Sequence, residues 1–155
     1  WNSRSGIYHR YSHMRSKPEI NNFLSSMHHY AIWDDHDYGQ SDGGKNFKVK
    51  AEAQQLFLDF VGVPKDAEVR KTEGIYQSYT IGKGDKTVKF ILLDTRYFRD
   101  DLEKNPSRNP RYFPNETGDM LGENQWKWLE NELENSTATF NIICSGIFDF
   151  TVCKG

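Results

Sequence analysis

Apolar residues recur at helical spacing in three parts of the chain, residues 18–28, 49–61 and 122–133. An apolar side chain at every third or fourth position lines one face of a helix, so each part is predicted to be helical and to pack against a core. Ser16 is expected to cap the first of these helices, and Gly62 is expected to end the second.

The third predicted helix carries Trp126, Leu129 and Leu133 on one face. We expect Trp126 and Leu129 to lie in the core and Trp128 to lie nearer the surface, because helical geometry turns neighbouring positions in different directions. The preceding residues 97–120 carry prolines, asparagines and charges without any period. They predict a long loop, of the kind that is often functional or mobile.

Four short apolar stretches predict strands over residues 30–33, 75–81, 87–93 and 138–144. The second and third are separated by residues 82–86, which are rich in glycine and charge, so they are expected to form a hairpin. The third is apolar on both faces at its end, which is typical of a central strand. Strands that alternate with helices predict an α/β or α+β layered domain.

The composition is that of a globular domain and excludes few functions. The chain has 155 residues, of which 36% are hydrophobic and 27% charged. A net charge of −2 gives no electrostatic reason to expect nucleic acid as a partner, and no apolar run is long enough for a membrane span. No signal peptide is visible after Trp1. Cys144 and Cys153 fit no metal or redox motif, and Cys144 is expected to be a buried thiol.

The segment Trp33-Asp34-Asp35-His36-Asp37-Tyr38-Gly39 is the most unusual part of the chain. Composition alone favours a solvated charged turn. Like charges this close repel one another, however, and a divalent cation bound by carboxylate oxygens and imidazole would hold them together. The segment also follows a predicted strand, where α/β proteins commonly place their chemistry. A calcium loop of the EF-hand type is not expected, because Gln40 occupies the position that requires glycine.

Asp94 and Arg96 follow the strongest predicted strand. Two residues apart in an extended segment, their side chains would point to the same side. Arg96 could bind a phosphate or a carboxylate with its planar group of donors. A structural ion pair at the end of the strand is an equally good interpretation, and the sequence leaves both open.

Four blocks of the chain together resemble the PhoD-like alkaline phosphatases: residues 33–39, 92–100, 121–129 and 143–146. Their order and spacing match the family, and the resemblance covers roughly residues 11–146. It implies a four-layer sandwich of two mixed sheets flanked by helices, as in the calcineurin-like metallophosphoesterases. Residues 1–155 would then form a single partial domain, the central part of that fold.

The resemblance also implies an activity, the hydrolysis of small phosphate esters by a water that a binuclear metal centre activates. Iron and calcium are the metals that the family suggests, and zinc or manganese occurs in relatives. Many family members are exported, so a secreted or exported protein is expected. Whether the substrate is a monoester or a diester stays open.

Site residues follow from the resemblance position by position. Asp35 matches an asparagine metal ligand, and His36 matches the histidine that stabilises the transferring phosphoryl group or protonates the leaving oxygen, since imidazole exchanges protons near neutral pH. Asp34 and Asp37 are expected to brace the loop or orient ligands. Asp94 and Arg96, introduced above, are signature residues to which the resemblance assigns no role.

The chain departs from the family pattern in its metal ligands. All five histidines lie at or before His36, so the late histidine-bearing segment is absent, and the early Gly-Asp segment with the bridging aspartate is absent as well. We therefore expect an inactive fragment of an active parent. Two alternatives remain: a non-catalytic remnant that serves as a metal-binding or interaction module, and a calcium-binding module. The calcium-binding module would use Asp34, Asp35, Asp37 and Asp42.

Overall fold

A mixed sheet of three strands, in the order β1-β2-β3, organises the computed structural model, which describes residues 2–147. The strands are β1 (Gln77–Ile81), β2 (Val88–Leu93) and β3 (Phe140–Ser145). β1 and β2 pair antiparallel as the predicted hairpin, and β2 pairs in parallel with β3, which confirms its central position. The mixture of helices with this sheet confirms the layered α/β class, whereas the four-layer sandwich stays a prediction.

The hairpin turn depends on Gly82, which has a φ of +99°. A Cβ atom at this position would lie 1.9 Å from the carbonyl oxygen of Lys86. Only glycine tolerates both the left-handed backbone and this close approach, and the turn in this way sets where β2 begins.

Residues 2–147 also form five α-helices and one short 3-10 turn: α1 (Arg4–Arg15), α2 (Pro18–Ser26), α3 (Asp35–Tyr38), α4 (Lys50–Phe60), the 3-10 turn Glu68–Arg70, and α5 (Gly122–Glu134). The three predicted helices are confirmed as α2, α4 and α5. Helix α1 was not predicted, because Ile7 is its one buried residue and gives too thin an apolar stripe. The predicted cap by Ser16 is wrong: Lys17 occupies the capping position, and the Ser16 hydroxyl donates to the carbonyl of His13.

The predicted strand over residues 30–33 is wrong. Within the described part of the chain, these residues make no strand-to-strand backbone hydrogen bonds with the sheet. They contact it through their side chains instead. The ring of Tyr30 lies 4.0 Å from that of Tyr79 on β1, and Trp33 is fully buried. A short apolar run indicates that a segment is buried, but it does not indicate whether the backbone of that segment pairs with a neighbouring strand.

Helix α5 is rotated from its predicted orientation. Trp126 is 50% exposed, whereas Trp128 is half-buried and packs against Tyr76 with ring centroids 4.8 Å apart. Leu129 is buried as predicted, but its partner on the buried face is Gln125, which is fully buried. A buried glutamine shifts the inward face in a way that hydrophobicity alone does not reveal.

Two apolar clusters lie against the sheet and the helices. The larger one joins α1 and α4 to residues in or next to α3, just before β1 and after β2. Its members include Ile7, Trp33, Tyr38, Phe57, Ile75 and Tyr97. The smaller one packs α5 onto β2 through Ile91, Leu93, Leu121 and Leu129. None of the described helices has the length and apolar character that crossing a membrane requires.

Strand β3 is more exposed than its sequence suggests. Phe140, Ile142 and Ile143 are exposed, and Cys144 is half-buried, not buried as predicted. Cys153 lies outside the described residues.

Candidate functional site

The acidic segment lies at the end of the sheet where the parallel strands β2 and β3 both finish. Asp94 follows β2 directly, and Gly146 follows β3. A Cβ atom on Gly146 would lie 2.5 Å from the carbonyl oxygen of Trp33 and 3.3 Å from Cα of Asp34, so the backbone of residues 33–34 rests on the end of β3. The carboxyl ends of parallel strands are where α/β proteins assemble their sites.

The carboxylate of Asp94 links several segments at this end of the sheet through hydrogen bonds. Its Oδ1 accepts hydrogen bonds from Nε1 of Trp33 (2.8 Å) and from the backbone N–H groups of Arg96 and Tyr97 (both 3.0 Å). Its Oδ2 accepts one from the N–H of Ile75 (2.9 Å). Burial raises the pKa of the Asp94 carboxyl, and these hydrogen bonds act in the opposite direction.

Gln125 of α5 holds the backbone of the same residue. Its Oε1 accepts from the N–H of Asp94 (2.8 Å), and its Nε2 donates to the Asp94 carbonyl (2.9 Å) and to the carbonyl of Leu121 (3.1 Å). Both backbone groups of Asp94 are thus satisfied by one buried side chain, which fixes α5 to the end of β2.

Arg96 pairs with Asp34 across 62 residues of sequence. Its Nε donates to Oδ1 of Asp34 at 3.1 Å, and its Nη2 donates to the same oxygen in an ion pair. The Arg96 side chain is 6% exposed and that of Asp34 is 49% exposed. Of the two interpretations that the sequence left open for Arg96, the structure therefore contains the ion pair.

Residues 34–39 form a tight, helical turn, α3 with its flanking residues. The N–H of Asp34 donates to Oδ2 of Asp37 (3.3 Å), the N–H of Tyr38 to the carbonyl of Asp34 (2.9 Å), and the N–H of Gly39 to the carbonyl of Asp35 (3.1 Å). From α1, the hydroxyl of Tyr11 donates to the carbonyl of Asp37 (2.6 Å). Asp37 therefore stabilises the turn through both its carboxylate and its carbonyl.

Asp35 and His36 follow Asp34 in the turn, and both side chains are accessible to solvent. Oδ1 of Asp35 and Nε2 of His36 are 3.8 Å apart, and their side chains are 27% and 61% exposed. Within residues 2–147, no hydrogen bond reaches the Asp35 carboxylate, in contrast to the carboxylates of Asp34, Asp37 and Asp94. Its oxygens are thus available to a ligand.

An open cleft of about 480 Å³ begins directly after the turn, between residues 40–47 and residues 101–112. Within it, Oδ2 of Asp42 accepts from the hydroxyl of Tyr112 and pairs with Nη2 of Arg111 at 3.0 Å. Buried Arg99 lies beneath and donates to the carbonyls of Asp42 and Gly43. Burial lowers the pKa of the Arg99 guanidinium, and the nearby charge of Arg96 lowers it further.

The described residues do not fit a complete metal centre. Among residues 2–147, no three side chains of His, Cys, Asp or Glu come together in a group that could hold a metal ion. The calcium module expected from Asp34, Asp35, Asp37 and Asp42 is therefore not assembled in this part of the chain. Asp34 is occupied by Arg96, and Asp42 by Arg111 and Tyr112.

The sequence analysis missed the buried polar groups that assemble the site. Gln125 was assigned to a helix start and Trp33 to a strand, and Gln54 and Arg99 were not singled out. Gln54 is 2% exposed. Its amide donates hydrogen bonds to the carbonyls of Val69 and Thr72 and accepts one from the N–H of Gly74. The available signal was the presence of polar residues at inward positions of otherwise apolar stripes.

A sequence model described as PhoD-like phosphatase matches residues 5–150 of the chain. Alkaline phosphatase D of Bacillus subtilis (strain 168) is 26% identical over 158 aligned residues, which cover 90% of this chain and 26% of that protein. The chain thus spans about a quarter of the length of this relative.

The fold gives the same similarity. A solved structure titled "Structure of PhoD" superimposes with a TM-score of 0.51 and a sequence identity of 25%. The superposition covers 72% of this chain and 23% of that one. Sequence and backbone therefore agree on one family.

Proposed function

Since this chain belongs to the PhoD-like phosphatase family, we propose that it is the central part of a phosphoesterase domain that hydrolyses small phosphate esters. One observation carries the proposal. The turn of residues 34–38 is fixed at the common end of β2 and β3, where the carboxylates of Asp34 and Asp37 accept hydrogen bonds from the protein and Asp35 and His36 are accessible to solvent.

His36 is proposed to act on the phosphoryl group or on the leaving oxygen. Its side chain is 61% exposed, more than that of Asp35, so it is accessible from solvent. As the ester bond breaks, the leaving oxygen gains negative charge, and a protonated imidazole neutralises that charge by transferring its proton. Water supplies the oxygen that replaces the alcohol on phosphorus.

Asp35 is proposed as one metal ligand. Its carboxylate oxygens accept no hydrogen bond within residues 2–147 and are partly exposed, as a ligand's must be. A binuclear centre needs about four or more protein ligands, more than the described residues bring together. The remaining ligands, and with them the calcineurin-like metal centre of iron and calcium or of zinc or manganese, would have to come from other parts of the protein.

This proposal implies that the 155-residue chain hydrolyses phosphate esters poorly without those other ligands. We would first measure the intact mass of the protein from its native source. We would then assay that form and the 155-residue chain on p-nitrophenyl phosphate and bis(p-nitrophenyl) phosphate, with each candidate metal. Hydrolysis by a longer native form, lost in its His36→Ala variant, supports the proposal.

Two outcomes would contradict it. A native protein of 18.1 kDa without phosphatase activity would favour the alternative, a non-catalytic module. A rate for the 155-residue chain that matches the Bacillus subtilis relative would show that the residues of this chain suffice, and would refute the proposed need for ligands from elsewhere.

A further inference from the structure

We propose that Arg96 is a positioning residue that sets the orientation of Asp35 and His36 through its ion pair with Asp34. The proposal rests on the function proposed above. It assigns a role to a residue for which the sequence left a direct contact with the phosphate ester equally open.

The burial of Arg96 argues against a direct contact with substrate. The residue is 5% exposed, and two of its donors, Nε and Nη2, are both directed at Oδ1 of Asp34. Its third donor atom, Nη1, is buried and has no hydrogen-bond partner among the described residues. A guanidinium that binds phosphate must present its donors at the surface of the site, and Arg96 presents them to the base of the turn.

Asp94 fixes Arg96 in turn. The same oxygen, Oδ1 of Asp94, accepts from the N–H of Arg96 and from the indole of Trp33, the residue directly before Asp34. The four residues therefore close a ring: Asp94 holds Trp33, the chain continues to Asp34, Asp34 is held by Arg96, and Arg96 returns to Asp94. A closed ring of this kind removes the freedom of the segment that enters the turn.

The ion pair also separates the functions of the neighbouring carboxylates. Asp34 and Asp35 are adjacent and would repel each other as two free anions. Arg96 engages Asp34 and leaves Asp35 without a hydrogen bond in the described structure. The positioning residue thus pairs the charge of Asp34 and leaves the charge of Asp35 for a ligand.

Amide hydrogen exchange of the purified chain tests the proposal without any need for activity. The N–H groups of Tyr38 and Gly39 report the turn, and the N–H of Ile91 in the central strand reports global stability. For Arg96→Gln we expect the ratio of turn exchange to strand exchange to rise at least tenfold.

Arg70→Gln is the matched control. The Arg70 side chain is 5% exposed and pairs with Asp59 at 2.9 Å, while Asp59 is 42% exposed, so the burial and partner resemble those of Arg96 and Asp34. This control should change the exchange ratio less than twofold. Asp34→Ala should raise the ratio as Arg96→Gln does, and the double variant should add nothing further, because both substitutions break one interaction.

Kinetics of a native form that hydrolyses p-nitrophenyl phosphate distinguish positioning from a purely structural role. Arg96→Gln should lower kcat at least tenfold with KM within twofold, whereas loss of a phosphate-binding residue would raise KM. Unchanged exchange ratios, or a raised KM with unchanged kcat, would overturn the proposal. If no form hydrolyses the ester, the proposed function fails, and the exchange ratios still decide whether Arg96 orients the turn.

Discussion

The indole of Trp33 donates a hydrogen bond of 2.8 Å to the carboxylate of Asp94, a residue 61 positions further along the chain. Both groups are fully buried. This bond joins the segment that carries the candidate site residues to the end of the central strand. The acidic turn is consequently anchored by a hydrogen bond to the end of the sheet, although it contributes no strand to that sheet.

The first prediction concerns the stability that Asp94 provides. Asp94→Ala removes the acceptor of four hydrogen bonds and leaves buried donors of Trp33 and of three backbone groups unsatisfied. We expect the free energy of unfolding to fall by about 3 kcal/mol, measured by urea denaturation. Asp66→Ala, at an exposed aspartate, is the control and should change it by less than about 0.5 kcal/mol. Equal effects of the two substitutions would contradict the assignment.

The second prediction concerns the pH dependence of stability through Glu132. Burial alone would raise the pKa of Glu132, but hydrogen bonds from Lys89 and Ser78 and the charge of Lys89 lower it below its ordinary value of 4.5. A carboxyl whose folded pKa is depressed stabilises the fold above its unfolded pKa, and this stabilisation is lost as the pH falls through the folded pKa.

Glu132→Gln should therefore destabilise the chain by about 1 kcal/mol at pH 7, because its partner Lys89 is largely buried. The difference from the wild type should shrink as the pH falls below 4.5. Urea denaturation at several pH values measures this, with Glu130→Gln on the exposed face of the same helix as control. A difference that stays constant from pH 7 to pH 3 would exclude Glu132 as its source.

The third prediction tests the proposed role of His36 in a native form that is active. His36→Ala should lower kcat by about a hundredfold, as the loss of a general acid usually does. His28→Ala, which removes an exposed histidine outside the turn, should leave kcat within twofold. Steady-state kinetics on p-nitrophenyl phosphate give both values, and a His36→Ala enzyme with full kcat would remove His36 from the reaction.

The fourth prediction tests the proposed ligand. Asp35→Ala should lower the metal content of the purified native protein, measured by inductively coupled plasma mass spectrometry, because it removes a carboxylate with no competing hydrogen bond in the described structure. Asp37→Ala should affect metal content less, since the Asp37 carboxylate closes the turn. Full metal occupancy in Asp35→Ala would show that the ligand assignment is wrong.

The sequence predicted the parts of this fold that local patterns determine. Helices α4 and α5 and the hairpin of β1 and β2 followed from periodicity and from glycines at their ends. The segment at 30–33 was mistaken for a strand because burial and strand pairing have the same apolar signature. The rotation of α5 was missed because buried Gln125 has the composition of a surface residue.

The candidate site likewise has features that the sequence predicts and features that it does not. Its location after an apolar segment could be anticipated from the chain. The partnership of Asp34 with Arg96 could not, because the sequence indicates that an arginine can pair with a carboxylate but not which of several nearby aspartates it meets. The role of Gln125 in holding Asp94 depends on a contact between elements 31 residues apart.

The sequence separations of these contacts have a consequence for folding. The β1-β2 hairpin closes a short loop, whereas Trp33 meets Asp94 across 61 residues, Arg96 meets Asp34 across 62, and Gln125 meets Asp94 across 31. Closing longer loops costs more chain entropy, and contacts between distant residues slow folding. We therefore expect the helices and the hairpin to form early, and the acidic turn to acquire its shape only once most of the sheet is in place.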